Sequence, residues 1–159
     1  MKPVDYLREA CRYAAENSYD ESTQNGAVLV SGGKLVYATN AFPPGVNRRG
    51  LRTDPPLKYL YTEHAERAAI YKAAATGVPT AGAILYCPWF ACTDCARGII
   101  LAGIREVVGL ACARNATPAR WANNVDTAEL MLAEAGVGMR WMAESVGITL
   151  RFDGRDLLC

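Results

Sequence analysis

Glu63-His64-Ala65-Glu66 and, some 25 residues later, Cys92-Thr93-Asp94-Cys95 are the stretches that decide the reading of this chain. His64 is its only histidine. The Ala-rich segment 62–76 around it has helical composition and ends before Gly77 and Pro79. Ala83 to Cys87 is an apolar run of strand length, and a helix is expected from about Thr93 to Ala102, closed by Gly103. H-x-E thus opens one helix and C-x-x-C opens the next, with a strand between them. Zinc favours neutral imidazole and thiolate, and a catalytic site takes three protein ligands and leaves a fourth position open. His64, Cys92 and Cys95 supply three, which implies one Zn²⁺ per chain. A structural site would want a fourth His or Cys. Cys87 can approach only if its side chain, at the end of its strand, turns toward the others. Residues two apart do not share a helix face, so Glu66 approaches from a different side than His64, as an acid/base and not as a ligand.

Working outward, Val4, Leu7, Cys11 and Ala14 recur at helical spacing over 3–17, and polar residues from Asn17 to Gln24 follow. Ala27 to Val30 and Leu35 to Thr39 flank Ser31-Gly32-Gly33, which reads as a hairpin. Asn40 to Tyr59 is a long loop rich in Pro, Gly and Arg, a kind of segment that is usually functional. Glu106 to Leu110 is a fourth strand, Asn115 to Asn124 an irregular stretch, and Val125 to Ala135 a helix stopping at Gly136. Met139 to Met142 and Ile148 to Phe152 complete the strands. Strands joined through helices pair in parallel with right-handed crossovers, so the chain reads as one α/β domain over 1–159.

A formal net charge of +1 gives no global electrostatic attraction to nucleic acid. No run of about 18 apolar residues indicates a membrane span, and the N-terminus lacks a signal-peptide pattern. A cytoplasmic protein with reduced thiols is expected. Of the six cysteines, Cys11, Cys87 and Cys112 read as small core residues, and Cys159, the last residue, as mobile.

The chain resembles the deoxycytidylate (dCMP) deaminases over about residues 5–152. Thr23-Gln24-Asn25-Gly26-Ala27 looks like their T-Q-x-G-A segment, and Asn40-Ala41-Phe42-Pro43-Pro44-Gly45 like their Y-N-G-x-P-x-G turn. Glu63-His64-Ala65-Glu66, Cys92-x-x-Cys95-Ala96, Ile99-Ile100-x-Ala102-Gly103-Ile104, Glu106-Val107-Val108 and Ala133-Glu134-Ala135-Gly136-Val137 follow the same pattern. The resemblance implies a three-layer cytidine deaminase-like fold, a mixed five-stranded sheet flanked by helices. It also implies hydrolysis of dCMP to dUMP and ammonia, with Glu66 shuttling protons beside the zinc, Asn40 bonding the substrate sugar, and a homo-oligomeric assembly. Three positions depart from the family. Ala68 stands where it has Asn, Pro88 replaces a Thr, and Ala91 replaces the Pro before Cys92.

Arg48-Arg49-Gly50-Leu51-Arg52, with Lys58, is the densest basic cluster. It is either a phosphate-binding fork or a solvated loop tip. Trp89 and Phe90 either stack on a planar base or pack against the core, and Trp121 is a further candidate for closing the pocket. The rival readings are a deaminase of a free base, nucleoside or other amino-heterocycle (cytosine, guanine, amino-triazine), a non-catalytic zinc-binding module, and a redox protein using Cys92-x-x-Cys95. Nucleic acid is disfavoured as a partner because no broad basic surface is evident and Asp153 and Asp156 lie near the end.

Overall fold

The period-two alternation of the strands sends neighbouring side chains to opposite faces of one sheet. The computed structural model describes residues 1–159. Ala27 and Leu29 face one helical layer while Val28 faces the other, and Leu85 and Val107 part in the same way from Tyr86 and Val108. Both faces are apolar, so both must be covered. The first layer contains α3 (Ala65–Ala75), α4 (Thr93–Leu101) and α6 (Ala119–Glu134). The second contains α1 (Pro3–Asn17), α5 (Ala111–Asn115) and a small hairpin of β6 (Thr149–Phe152) with β7 (Arg155–Leu158).

The sheet itself runs β2 (Lys34–Thr39), β1 (Gly26–Ser31), β3 (Ile84–Tyr86), β4 (Glu106–Leu110), β5 (Gly138–Met142). β1 pairs antiparallel with β2 and with β3, whereas β3, β4 and β5 are parallel. The mixed five-stranded sheet between helices is therefore the expected one. Gly32 and Gly33 have φ of 55° and 77°, the left-handed pair that a two-residue hairpin turn requires.

Several details differ from the sequence reading. The stretch 115–124 is not irregular, because α6 begins at Ala119, directly after Pro118 at its N-cap. The polar Asn123 and Asn124 had disguised it, and Asn124 is used instead to accept the Thr93 N–H at the start of α4, at 2.9 Å. The long loop 40–59 carries a 3₁₀ turn at Gly50–Thr53 and is followed by α2 (Lys58–Tyr61). The last strand belongs to a hairpin outside the main sheet, with Asp153-Gly154 as its turn at φ of 51° and 76°. Asp-Gly is a strong hairpin signal. Cys159 is not mobile. It is 1 % exposed, packs in the second layer with Cys11 and Cys112, and its carbonyl accepts the Val146, Gly147 and Ile148 N–H groups.

Gly109 on β4 lies beneath Phe90 and Trp141, whose rings stack at 3.9 Å and 7°. A Cβ at 109 would sit 2.5 Å from Trp141 and 2.9 Å from Phe90. Gly109→Ala should therefore destabilise by about 1–3 kcal/mol through overpacking, read as a fall of about 3–10 °C in Tm. An unchanged Tm would show that the Phe90–Trp141 stack is not held as described.

Candidate active site and metal centre

Two helix starts converge beyond the end of β3. His64 is the N-cap residue of α3 and Cys92 the N-cap residue of α4. Their extended backbones carry the side chains off the helix ends toward each other, and Cys95 joins them from the first turn of α4. His64 Nδ1 lies 3.4 Å from Cys92 Sγ and 3.6 Å from Cys95 Sγ, and the three ligand atoms fall within 4.8 Å of one another. Tetrahedral zinc with bonds of about 2.0–2.3 Å sets an imidazole nitrogen and a thiolate about 3.5 Å apart. The donor set and its spacing thus fit that ion without rearrangement. Cys87 is not a fourth ligand: its buried sulfur is engaged by Asn25 Nδ2 and the Trp89 carbonyl, each at 3.3 Å.

Thiolate is the form a metal needs, and the local chemistry supplies it. Hydrogen bonding from Cys95 and His64 lowers the Cys92 thiol to about 4, and its sulfur also accepts the Cys95 N–H at 3.4 Å. Cys95 is pushed up by sharing that proton with Cys92 and by burial. Burial alone would push the His64 imidazole down, but its bond to Cys92 and the charge of Glu66 raise it overall. Arg67 faces the same cluster, donating to Cys92 Sγ at 3.7 Å while Glu63 accepts its Nε–H at 2.7 Å. Metal entry here displaces protons from thiol and imidazole.

Glu66, on the first turn of α3, is 2 % exposed. Its Oε2 is the one buried side-chain N or O atom without a hydrogen-bond partner. Burial raises its carboxyl to about 7, the nearby His64 opposing that shift and the Cys92 charge adding to it. A buried carboxyl in a cavity, raised toward neutrality and with one oxygen left unpartnered, is the kind of arrangement found at functional sites.

The cavity lined by His64, Glu66, Arg67 and Cys92 has a volume of about 660 Å³, of a size for a small organic ligand. Among the residues expected to contact substrate, Trp89 lines it; its indole N–H is held by Thr117 at 3.0 Å and its ring meets Phe152 edge-on at 5.0 Å. Trp121 stands beside it, 6.2 Å from Trp89 and 6.4 Å from the His64 ring. Phe90 also lines the cavity, but it is 1 % exposed and commits a ring face to Trp141, so most of its surface is spent on the core. Asn40 borders the cavity, but its amide donates to the Thr23 carbonyl at 2.7 Å and accepts from the Asn25 N–H and the Ser18 hydroxyl at 2.9 and 2.8 Å. It orders the walls.

The basic cluster divides. Arg48 and Arg52 lie over the rings of Tyr19 and Tyr61 at 5.1 and 4.9 Å, and neither they nor Arg49 line the cavity. Lys58 does face inward, paired with buried Asp20 at 3.1 Å. Asp20, Arg67, Arg120 and Asn124 also line the wall and were missed from sequence. Arg120 and Asn124 lay in the stretch read as irregular, and Asp20 in a polar connection with no motif.

This fold and this donor set define a zinc-binding α/β domain with an open metal centre. Residues 1–111 match the cytidine and deoxycytidylate deaminase zinc-binding region, and the chain belongs to that family. It is 32% identical over 128 residues to an uncharacterized deaminase in the luxG 3′ region of Aliivibrio fischeri, covering 79% of this chain and 83% of that one. Deoxycytidylate deaminase of Homo sapiens is 35% identical over 112 residues, covering 65% of this chain and 62% of its own length. The dCMP deaminase of cyanophage S-TIM5, crystallised with dCMP and dUMP, shares the fold with a TM-score of 0.69 at 24% identity, over 89% of this chain and 99% of that one.

A carboxyl raised by burial stabilises the fold only while protonated. That contribution is whole below about 4.5, the ordinary value, and is lost as pH rises through about 7. In metal-stripped protein, Glu66→Gln should therefore gain stability over wild type between pH 4.5 and 7, by about 2–3 kcal/mol. Denaturant melts across that range check it, and a pH-independent difference would mean that Glu66 is not tuned by burial.

Proposed function

We propose that the protein is a hydrolytic deaminase of an amino-pyrimidine nucleotide, converting dCMP and water to dUMP and ammonia. The observation that carries this reading is Glu66: buried, unpartnered through Oε2, and sharing one cavity with His64 and Cys92, with Cys95 buried directly behind them in the same ligand cluster. Zinc held by these three supplies the Lewis acidity that makes water nucleophilic at neutral pH. Glu66 takes a proton from the attacking water and gives it to the ring nitrogen of the substrate. It then carries the second proton to the amino group, so ammonia leaves as the carbonyl forms. Trp89 and Trp121 bound the slot in which a flat heterocycle fits, and the buried metal wall limits stray water.

The choice of dCMP is supported by family membership and by the 35% identical deoxycytidylate deaminase. A second reading, deamination of a nucleoside or free base, is favoured by the pairing of every cation in the cavity with a carboxylate: Lys58 with Asp20, Arg67 with Glu63, Arg120 with Asp153.

Ammonia release from dCMP, deoxycytidine, cytosine and guanine, measured side by side, decides between them. The expected result is the highest kcat/KM on dCMP; no turnover of a phosphorylated substrate removes the leading reading. Glu66→Gln should keep its zinc and lose about 10²–10⁴-fold in kcat. Undiminished turnover would take Glu66 out of the mechanism.

A further inference from the structure

We infer that Arg120 is the residue that reads the phosphate of the substrate, and that Asp153 holds its guanidinium at the cavity mouth until phosphate replaces it. The inference rests on the nucleotide reading above. Three cations line the cavity, and they differ in what binding an anion would cost. Lys58 and Asp20 are buried together, with side-chain exposures of 11% and 9%, and Asp20 also accepts the Ser22 and Thr23 N–H groups at 2.8 and 3.2 Å. Displacing Asp20 would strand a buried carboxylate. Arg67 is 17% exposed and held between Glu63 and the Cys92 sulfur, so it serves the metal side.

Arg120 is the exception. Its side chain is 61% exposed, and its one ion pair is a single contact at 2.6 Å to Asp153, itself 39% exposed. An exposed pair of this kind is weak. The guanidinium has five N–H donors in a planar fork, and one of them engages Asp153. A phosphate dianion offers the bidentate geometry that a single carboxylate contact does not. Asp153 can yield without being stranded, because it sits on the solvent-facing hairpin turn between β6 and β7.

Position agrees with chemistry. Trp121, the next residue, faces His64 across the metal wall, so the first turn of α6 runs from the reacting end of the cavity to its mouth. No side chain caps that helix end at Pro118, so the positive end of the helix dipole faces the cavity wall without a capping oxygen. Asp153 is anchored from the other side, its N–H donating to Thr23 Oγ at 3.1 Å. The pair therefore joins α6 to the β6–β7 hairpin, with Arg120 on the cavity side. Arg48, Arg49 and Arg52 have no such placement.

Steady-state kinetics of the zinc-loaded enzyme on dCMP and deoxycytidine test this. Arg120→Gln should lower the ratio of kcat/KM for dCMP over that for deoxycytidine by about 10- to 100-fold, chiefly through KM for dCMP. Asp153→Asn should move KM for dCMP the other way, downward. Equal losses on both substrates from Arg120→Gln, or a fall in the ratio from an Arg48→Ala/Arg49→Ala double variant, would overturn the assignment. Asp153→Asn keeps the test alive should Arg120→Gln fold poorly, since an unchanged or raised KM for dCMP in that variant also contradicts it. Wild-type enzyme that does not prefer dCMP over deoxycytidine would instead remove the nucleotide reading itself.

Discussion

Two helices must begin at one point for this protein to work. His64 and Cys92 are both N-cap residues, and an N-cap side chain leaves the helix backward, toward what precedes it. Setting α3 and α4 side by side on one face of the sheet therefore brings an imidazole and a thiolate to the spacing of a tetrahedral edge. The positive ends of both helices favour the thiolate, and Arg67 adds a full charge beside it. The rest of the fold keeps these two starts in register: β3 delivers the chain to Cys92, and Asn124 of α6 pins the first N–H of α4.

Beside that cationic corner, Glu66 is kept neutral at modest pH by burial rather than by a partner. The two environments push in opposite directions within a few ångströms. Cys92 gives up its proton easily and Glu66 holds one near neutrality, opposite tunings that suit the ligand and the proton carrier of the proposed mechanism. An ion-pair network built for stability would have satisfied Glu66 Oε2. Leaving it bare suits a group that must bond to something not part of the chain.

The metal centre was legible in the sequence because it depends on local spacing. H-x-E and C-x-x-C each fix side chains relative to one helix start, and the alternating apolar strands dictate that the starts align. Contacts made by tertiary packing were not legible. Asn40 has the residue type of a sugar-binding group and lines the cavity, but its bonds to Thr23, Asn25 and Ser18 are ones no periodicity foretells. Phe90 both lines the cavity and stacks on Trp141, a division that its place beside the metal loop does not reveal. The basic loop reads equally as a phosphate fork or a solvated tip; Arg48 and Arg52 lie over Tyr19 and Tyr61, and of the cluster Lys58 alone lines the cavity. Arg120 was hidden because its helix starts six residues earlier than the apolar pattern suggests.

The central claim is an open zinc centre with three protein ligands and one free position. X-ray absorption at the zinc edge of the freshly purified protein tests it most directly. Two sulfur neighbours at about 2.3 Å and two light-atom neighbours at about 2.0–2.1 Å are expected, one imidazole and one from solvent. Three sulfur neighbours, which would bring Cys87 into the shell and close the site, or no bound zinc at all, would contradict it.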